Sequence, residues 1–248
     1  MKTGRTMQLN RYIAQCGAAS RRKAVTLIRS GRITVNEIVV LNPGYRVDPE
    51  NNTVRLDGKA VMLPRRYRTI LMNKPAGVLT TAEDDRNRAT VMDRLDIEER
   101  LFPVGRLDMD TTGVLLLTND GELAHRLAHP RYAIEKVYEA RVRGTADPKI
   151  VRALKTGVDI GGGTHVSGEA RILEQSGTFA RVEIRIHEGK KRQVKRMLKA
   201  VGHPVIHLER TCFAGLKTGA LREGQWRDLT ENEIQNLKRM TGLLNDQE

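Results

Sequence analysis

The sequence predicts an α+β protein in two parts: a small N-terminal helix-and-hairpin module, then a larger sheet domain flanked by helices. Three observations carry this. Helical periodicity is confined to short stretches with clear start and stop signals. Between them lie β-branched or alternating runs separated by Asn, Asp and Gly turns. Residues 63–69, LPRRYRT, interrupt both patterns with a proline, three arginines and no apolar period, and read as a linker. A chain of 248 residues is long enough to bury one or two cores.

In the first part, residues 8–31 read as two short helices. Leu9 and Ile13 stack at i, i+4, and Gly17 supplies a left-handed stop. Ser20 is placed as an N-cap, with Ala24, Leu27 and Ile28 facing inward and Gly31 closing the helix. ITVNEIVVLNPGYRV follows, broken at Asn36-Glu37 and Asn42-Pro43-Gly44, which is hairpin grammar; in TVRLDGKAV, Asp57-Gly58 reads as a tight turn.

Beyond the linker, ILMN (70–73) is a strand and Lys74-Pro75-Ala76-Gly77 a turn. TVMDRLDIEERL (90–101) is expected to be helical, with Arg94 and Glu98 pairing at i, i+4. VLLLT (114–118) is too continuously apolar to be anything but a buried strand, and GELAHRLAHP is a short helix ended by Pro130. KVYEARVRG (136–144) alternates as a strand, and DPKIVRALKTG (147–157) carries helix start and stop signals. RILEQSGTFARVEIRI is a hairpin about Gly177, and GKKRQVKRMLKAVG a basic helix burying Val194, Leu198 and Val201. Thr230 to Glu233 form a capping box before a last amphipathic helix.

Lysine and arginine total 43 against 30 acids, a net charge of +13. Such an excess repels itself unless a polyanion neutralises it, which points to nucleic acid. No apolar run reaches 18 residues, so no membrane role is expected, and aromatics at 4% argue against broad base-stacking platforms. The N-terminal MKTGRTMQLN does not read as a signal peptide, and Cys16 and Cys212 lack a C-x-x-C partner, so a reduced, cytoplasmic protein is expected. His125/His129 and His203/His207 have H-x-x-x-H spacing but no accompanying Glu, and Pro204 breaks the second pair as a helix; no metal is expected there. Gly161-Gly162-Gly163 lacks the G-K-[ST] of a phosphate loop and reads as a flexible turn.

The triplet Arg-Leu-Asp occurs three times, at 55–57, 94–96 and 106–108. The first is explained by its turn and the second by a surface helix. The third lies in GRLDMDTTG (105–113), where a polar loop leads into the most apolar strand of the chain. A carboxylate there sits at the edge of the core, where catalytic acids occur. Spacing alone equally permits Asp108 to cap its own loop.

The first module, residues 7–63, resembles the S-four RNA-binding domain through its helix pair, its SRRKAVTLIRSGRITVN core and the following hairpin. That resemblance implies phosphate contacts from Arg21, Arg22, Lys23, Arg29 and Arg32. VGRLDMDTTGVLLLTNDGELAHRLAHP, with LMNKPAGVLTT upstream and EGKKRQVKRMLKAVGHPV downstream, resembles the RsuA/RluB group of RNA pseudouridine synthases. Together the two cover about residues 7 to 229.

The second resemblance implies a catalytic domain over 69–248, built on a mixed, largely antiparallel sheet flanked by helices. It implies that Asp108 is catalytic, as nucleophile on base or sugar or as a base for a ribose proton. It gives Tyr138 the role of packing on the target base and Lys195 that of pairing with Asp108, which keeps the carboxylate ionised. The lesser alternative for Tyr138 is a strand tyrosine facing the core beside Ala140 and Val142. Lys195 could equally be one more phosphate-facing cation among Lys190, Lys191, Arg192, Arg196 and Lys199. Arg106 either enters the RNA when the base flips or pairs with Asp110.

No cofactor is implied. The implied substrate is ribosomal RNA, free or in an assembling subunit, acted on by a monomer. RLFPVGRLD and TNDGELAHRLAHP resemble the branch that modifies 23S rRNA, with a 16S enzyme the nearest alternative. A non-catalytic rRNA assembly factor, or a metal-dependent nuclease using Asp108 and Asp110, are the rivals from other classes.

Overall fold

The computed structural model describes residues 6–244. They form two compact units: residues up to Arg68 with Ile97–Leu101 and Asn119–Gly121, and the rest.

In the first unit, strand β1 (Met7–Gln8) leads into helix α1 (Leu9–Gln15), and α2 (Arg21–Arg29) follows. The Ser20 hydroxyl accepts the Lys23 amide at 3.2 Å, the expected cap, and Gly17 and Gly31 take φ of +75° and +73°. Both helices press Leu9, Ile13, Ala24 and Ile28 onto Ile33, Val35 and Val54 of a four-stranded sheet. That sheet runs β3 (Ile38–Val39), β2 (Ile33–Val35), β5 (Val54–Leu56), β6 (Lys59–Ala60). Its hairpin turns at Asn36-Glu37 and Asp57-Gly58 adopt the positive φ that two-residue turns of this hand require. A short β4 (Arg46–Val47) pairs with β1.

The second unit is built on an eight-stranded sheet. Its main path runs β13 (Glu169–Gln175), β14 (Phe179–Ile186), β10 (Lys136–Arg143), β15 (Val205–Phe213), β9 (Thr111–Thr118), β7 (Thr69–Lys74), β16 (Trp226–Asp228), and β8 (Phe102–Pro103) adds to β9. Every pairing is antiparallel except β15 with β9, so the sheet is mixed and largely antiparallel, as expected. β9 and β7 are buried along their whole length, which is what continuous apolar runs at the middle of a sheet need. Helix α3 (Gly121–Ala128) places Leu123 and Leu127 on Val114 and Leu116. Helix α4 (Pro148–Thr156) is capped by Asp147, and the hairpin β11 (Val158–Asp159) to β12 (His165–Val166) follows, with the three glycines in its turn. Helix α5 (Gln193–Ala200) buries Val194, Met197 and Leu198, and α6 (Glu231–Met240) begins on the capping box of Thr230 and Glu233. Among the described residues no helix is long and apolar enough to cross a membrane.

One element differs from expectation. Residues 90–101 form no α-helix; only Met92–Arg94 make a single 3-10 turn. The amide of Val91 is taken by Leu79 O at 2.9 Å and that of Thr90 by the Asp93 carboxylate at 2.7 Å, so the segment is drawn into a bridge with residue 79. Leu95 is extended, and the i, i+4 geometry for Arg94 and Glu98 does not arise. Asp96 is exposed, as a surface role requires.

Candidate active site

The loop from Gly105 to Asp110 hangs between β8 and β9 and is tied down by backbone atoms. Gly105 turns it at φ +69°. The Thr80 hydroxyl donates to Leu107 O at 2.8 Å and accepts the Leu107 amide at 3.3 Å. Gly77 N donates to Met109 O at 2.8 Å, and Thr111 N to Asp108 O at 3.0 Å. Beneath it lies the fully buried Lys74, whose ammonium donates to Pro75 O (2.9 Å), Thr111 O (3.0 Å) and Met109 O (3.3 Å). Burial pushes this lysine down to about 8, against the pull of Asp110 and Asp108. With these neighbouring backbone groups satisfied by one another, by Thr80 and by Lys74, the Asp108 side chain is left to face the pocket.

That pocket, about 80 Å³, is lined by Asp108, Tyr138, Thr111, Leu208, Val194 and Ile186 among others. It adjoins a groove of about 650 Å³ that shares Arg106, Leu107, Asp108, Lys190 and Arg192 and continues past Thr81, Arg88, Met109 and Lys191. Tyr138 comes from β10, where it is buried and shares a strand face with Ala140 and Val142. The two expectations for it describe one position, a core tyrosine at the pocket wall. A register slip between Val137 and Tyr138, against Cys212 and Arg210 of β15, falls at this point.

Lys195, on the first turn of α5, lies between two carboxylates. Its ammonium donates to Asp110 Oδ1 at 2.5 Å and stands 3.7 Å from Asp108 Oδ2. Its hydrogen-bonded partner is therefore Asp110, while the ion pair with Asp108 stands beside it at the longer distance. The bond holds the Asp110 carboxyl below the usual carboxylate range. With Asp110 occupied by Lys195, Arg106 makes no pair with it; Arg106 is exposed at the rim of the pocket. Arg192, in the left-handed region at φ +52°, brings its Nε to 4.0 Å from Asp108 Oδ2. Gln193 is buried and holds the turn before α5, accepting from Lys190 N and donating to Glu188.

Other expected contacts are distributed unevenly. Lys190 lies 3.9 Å from Glu188, Lys191 faces the groove, and Arg196 donates to Gly161 O and Lys191 O. In the first unit Arg21, Arg22, Lys23 and Arg29 are exposed; Arg21 bonds Gln8, leaving its charge uncompensated. Arg32 is also exposed but forms a bidentate pair with Asp57, so its charge is partly spent within the module. His125 and His129 do lie together, 5.1 Å between rings, but His129 accepts the Arg131 amide through Nδ1.

Sequence reasoning missed Lys74, read as a turn residue, and two further buried cations. Arg210, on β15 opposite Tyr138, donates to Val114 O at 2.7 Å, and Lys136 donates to Ile134 O at 2.8 Å; both approach the face of Phe213. A lysine or arginine inside an apolar alternating run is the one signal that could have exposed them.

Residues 68–200, more than half of the chain, match the family model of RNA pseudouridylate synthases. The chain belongs to the RNA pseudouridine synthase family. The synthase also matches the S4 domain over residues 7–52. It is 44% identical, over 96% of both chains, to an uncharacterised RNA pseudouridine synthase of Aquifex aeolicus (strain VF5). It is 39% identical, over 93% of this chain and 95% of the other, to ribosomal large subunit pseudouridine synthase B of Bacillus subtilis (strain 168). A crystal structure of a pseudouridylate synthase superposes with a TM-score of 0.67 at 27% identity, covering 93% of this chain and 99% of that one. The synthase is thus an RNA-modifying isomerase that carries an S4 domain.

Proposed function

We propose that this synthase converts a uridine of 23S ribosomal RNA to pseudouridine with Asp108 as its catalytic group, acting as a monomer in the cytoplasm. The observation that carries the reading is the Asp108 carboxylate at the mouth of a pocket walled by Tyr138 and flanked by Lys195 and Arg192. Similarity along nearly the whole chain to a ribosomal large subunit synthase supports the choice of RNA. The free thiols Cys16 and Cys212 suit a reduced compartment.

The reaction breaks the bond from ribose carbon 1′ to ring nitrogen 1, turns the uracil, and joins carbon 5 to carbon 1′. The proton on carbon 5 is lost and nitrogen 1 gains one, so the change is an isomerisation without redox balance to supply. A buried-edge carboxylate suffices to begin it, by attack on base or sugar or by removing a ribose proton. The flipped uracil would pack on Tyr138, the positive rim of Lys190, Lys191 and Arg192 would take flanking phosphates, and Arg106 would enter the space the base vacates. Residues 7–63 form the proposed RNA-binding domain, anchored through Arg21, Arg22, Lys23 and Arg29, and residues 69–248 the catalytic domain.

The test is release of tritium from RNA labelled at carbon 5 of uridine, comparing the wild type with Asp108→Asn. Transcripts of 23S and 16S rRNA, and assembling subunits, are offered separately. Release from 23S substrate by the wild type alone is expected. Release from 16S RNA instead reassigns the substrate, and equal release by the variant removes Asp108 from its role.

A further inference from the structure

Asp110 sits two residues from the proposed catalytic carboxylate, is two-thirds exposed, and has no part in the reaction as described. Yet it takes the short hydrogen bond from Lys195, at 2.5 Å, while Asp108 is left at 3.7 Å from the same ammonium. Lys195 itself is largely covered, its side chain 19% exposed, so the ammonium has few places to go besides these two acids. A nucleophile or base needs a lone pair unoccupied by a strong donor, but a carboxylate at a pocket wall also needs positive charge nearby. A distance of 3.7 Å meets both demands; a 2.8 Å bond would meet only the second.

We infer that Asp110 is a positioning residue of the isomerase, holding the Lys195 ammonium close to Asp108 and off its lone pairs. This deepens the proposed function and rests on Asp108 being the reacting carboxylate. Charged groups face the pair from each packed element. Lys74 lies at the end of β7, Arg192 stands 4.0 Å from Asp108 at the start of α5, and Glu223 acts on Lys74 from the loop before β16. Removing the Asp110 charge leaves Lys195 with Asp108 as its remaining carboxylate within reach. The lysine needs to move only about an ångström to bond it, given ordinary charged hydrogen-bond lengths.

The experiment measures kcat and KM for tritium release against pH in the wild type, Asp110→Asn, Asp110→Glu and Lys195→Met, and in the double variant Lys195→Met with Asp110→Asn. In Asp110→Asn, kcat should fall about tenfold with KM within about twofold, since the loss concerns the transition state. The acid limb of its profile should move down by about one pH unit, the size expected for an ammonium closing from 3.7 to 2.8 Å. Asp110→Glu should recover most of the rate. In the Lys195→Met background the same substitution should change kcat by less than about twofold, because the effect passes through the lysine. A crystal structure of Asp110→Asn should show Nζ within hydrogen-bond reach of Asp108. A profile superposing on the wild type, an undiminished effect without Lys195, or an ammonium that stays away from Asp108 overturns the inference. If the wild type releases no tritium, or Asp108→Asn releases as much, the proposed function fails. The position of Lys195 in the Asp110→Asn crystal then still decides what Asp110 holds.

Discussion

The ammonium of Lys74, at the last residue of β7, donates to the carbonyl of Thr111, the first residue of β9, at 3.0 Å. The two strands pair antiparallel, and the lysine reaches past the end of their ladder to hold the loop that Asp108 rides on. Replacing Lys74 with Ala leaves the carbonyls of Thr111, Met109 and Pro75 without this donor inside the protein. A loss of about 3 kcal/mol in urea unfolding is expected, with kcat falling more than KM rises as the loop loosens. Unchanged kcat in a destabilised variant would confine Lys74 to a stability role.

Gly113 lies opposite Arg210 in the parallel pairing, at φ +100°, and a Cβ built there would stand 2.3 Å from the Arg210 carbonyl oxygen. No rotamer relieves a clash between backbones. Gly113→Ala should cost more than about 3 kcal/mol, visible as loss of soluble protein or a Tm lowered by many degrees. A near-native melt would mean that the β9–β15 junction can part without cost.

The arginines of the first unit should not weigh equally on RNA. Arg29 carries a free charge, whereas Arg32 is held by both oxygens of Asp57. On the proposed anchoring through phosphates, Arg29→Ala should lower the salt slope of RNA binding by about one, and Arg32→Ala by less. Filter binding at several salt concentrations measures both; equal slopes would show that Asp57 yields Arg32 to the RNA.

Lys136 is buried beside Arg210, and burial together with that charge lowers it from 10.5 to about 8. Between those values the unfolded chain holds a proton that the folded chain has shed, so stability rises with pH across that window. Below about 8 the buried ammonium weighs fully against folding. Lys74 acts in the same direction, while Tyr12 and Cys16, both raised to about 12, act in the opposite one above pH 9. The difference between wild type and Lys136→Met isolates the term. The wild type should gain on the order of 2 kcal/mol relative to the variant between pH 7.5 and 9.5 in urea unfolding, and parallel curves would contradict the shift.

Local grammar was legible wherever a decision lay within a few residues. Ser20, Asp147 and Thr230 cap their helices because each side chain reaches an amide two or three residues on. The turns at Asn36-Glu37 and Asp57-Gly58, and the strand 114–118, follow from turn chemistry and apolar continuity alone. GRLDMDTTG marked the loop now seen at the pocket, and the order of its motifs marked the family. Residues 90–101 have helical periodicity, yet backbone pairing with Leu79, a dozen residues upstream, outbids it.

The sequence by itself determined the α+β class, the two-part organisation of its motifs, the basic charge and the position of the aspartate that resembles a catalytic one. Tertiary structure decided which cations are buried, that Lys74 grips the loop from below, and that Lys195 bonds Asp110 before Asp108. The reason is distance along the chain. Caps and turns are settled by neighbours a few residues apart, whereas Lys195 and Asp110 are 85 residues apart and meet only when α5 docks at the end of β9. There, differences of about an ångström decide which carboxylate the lysine holds.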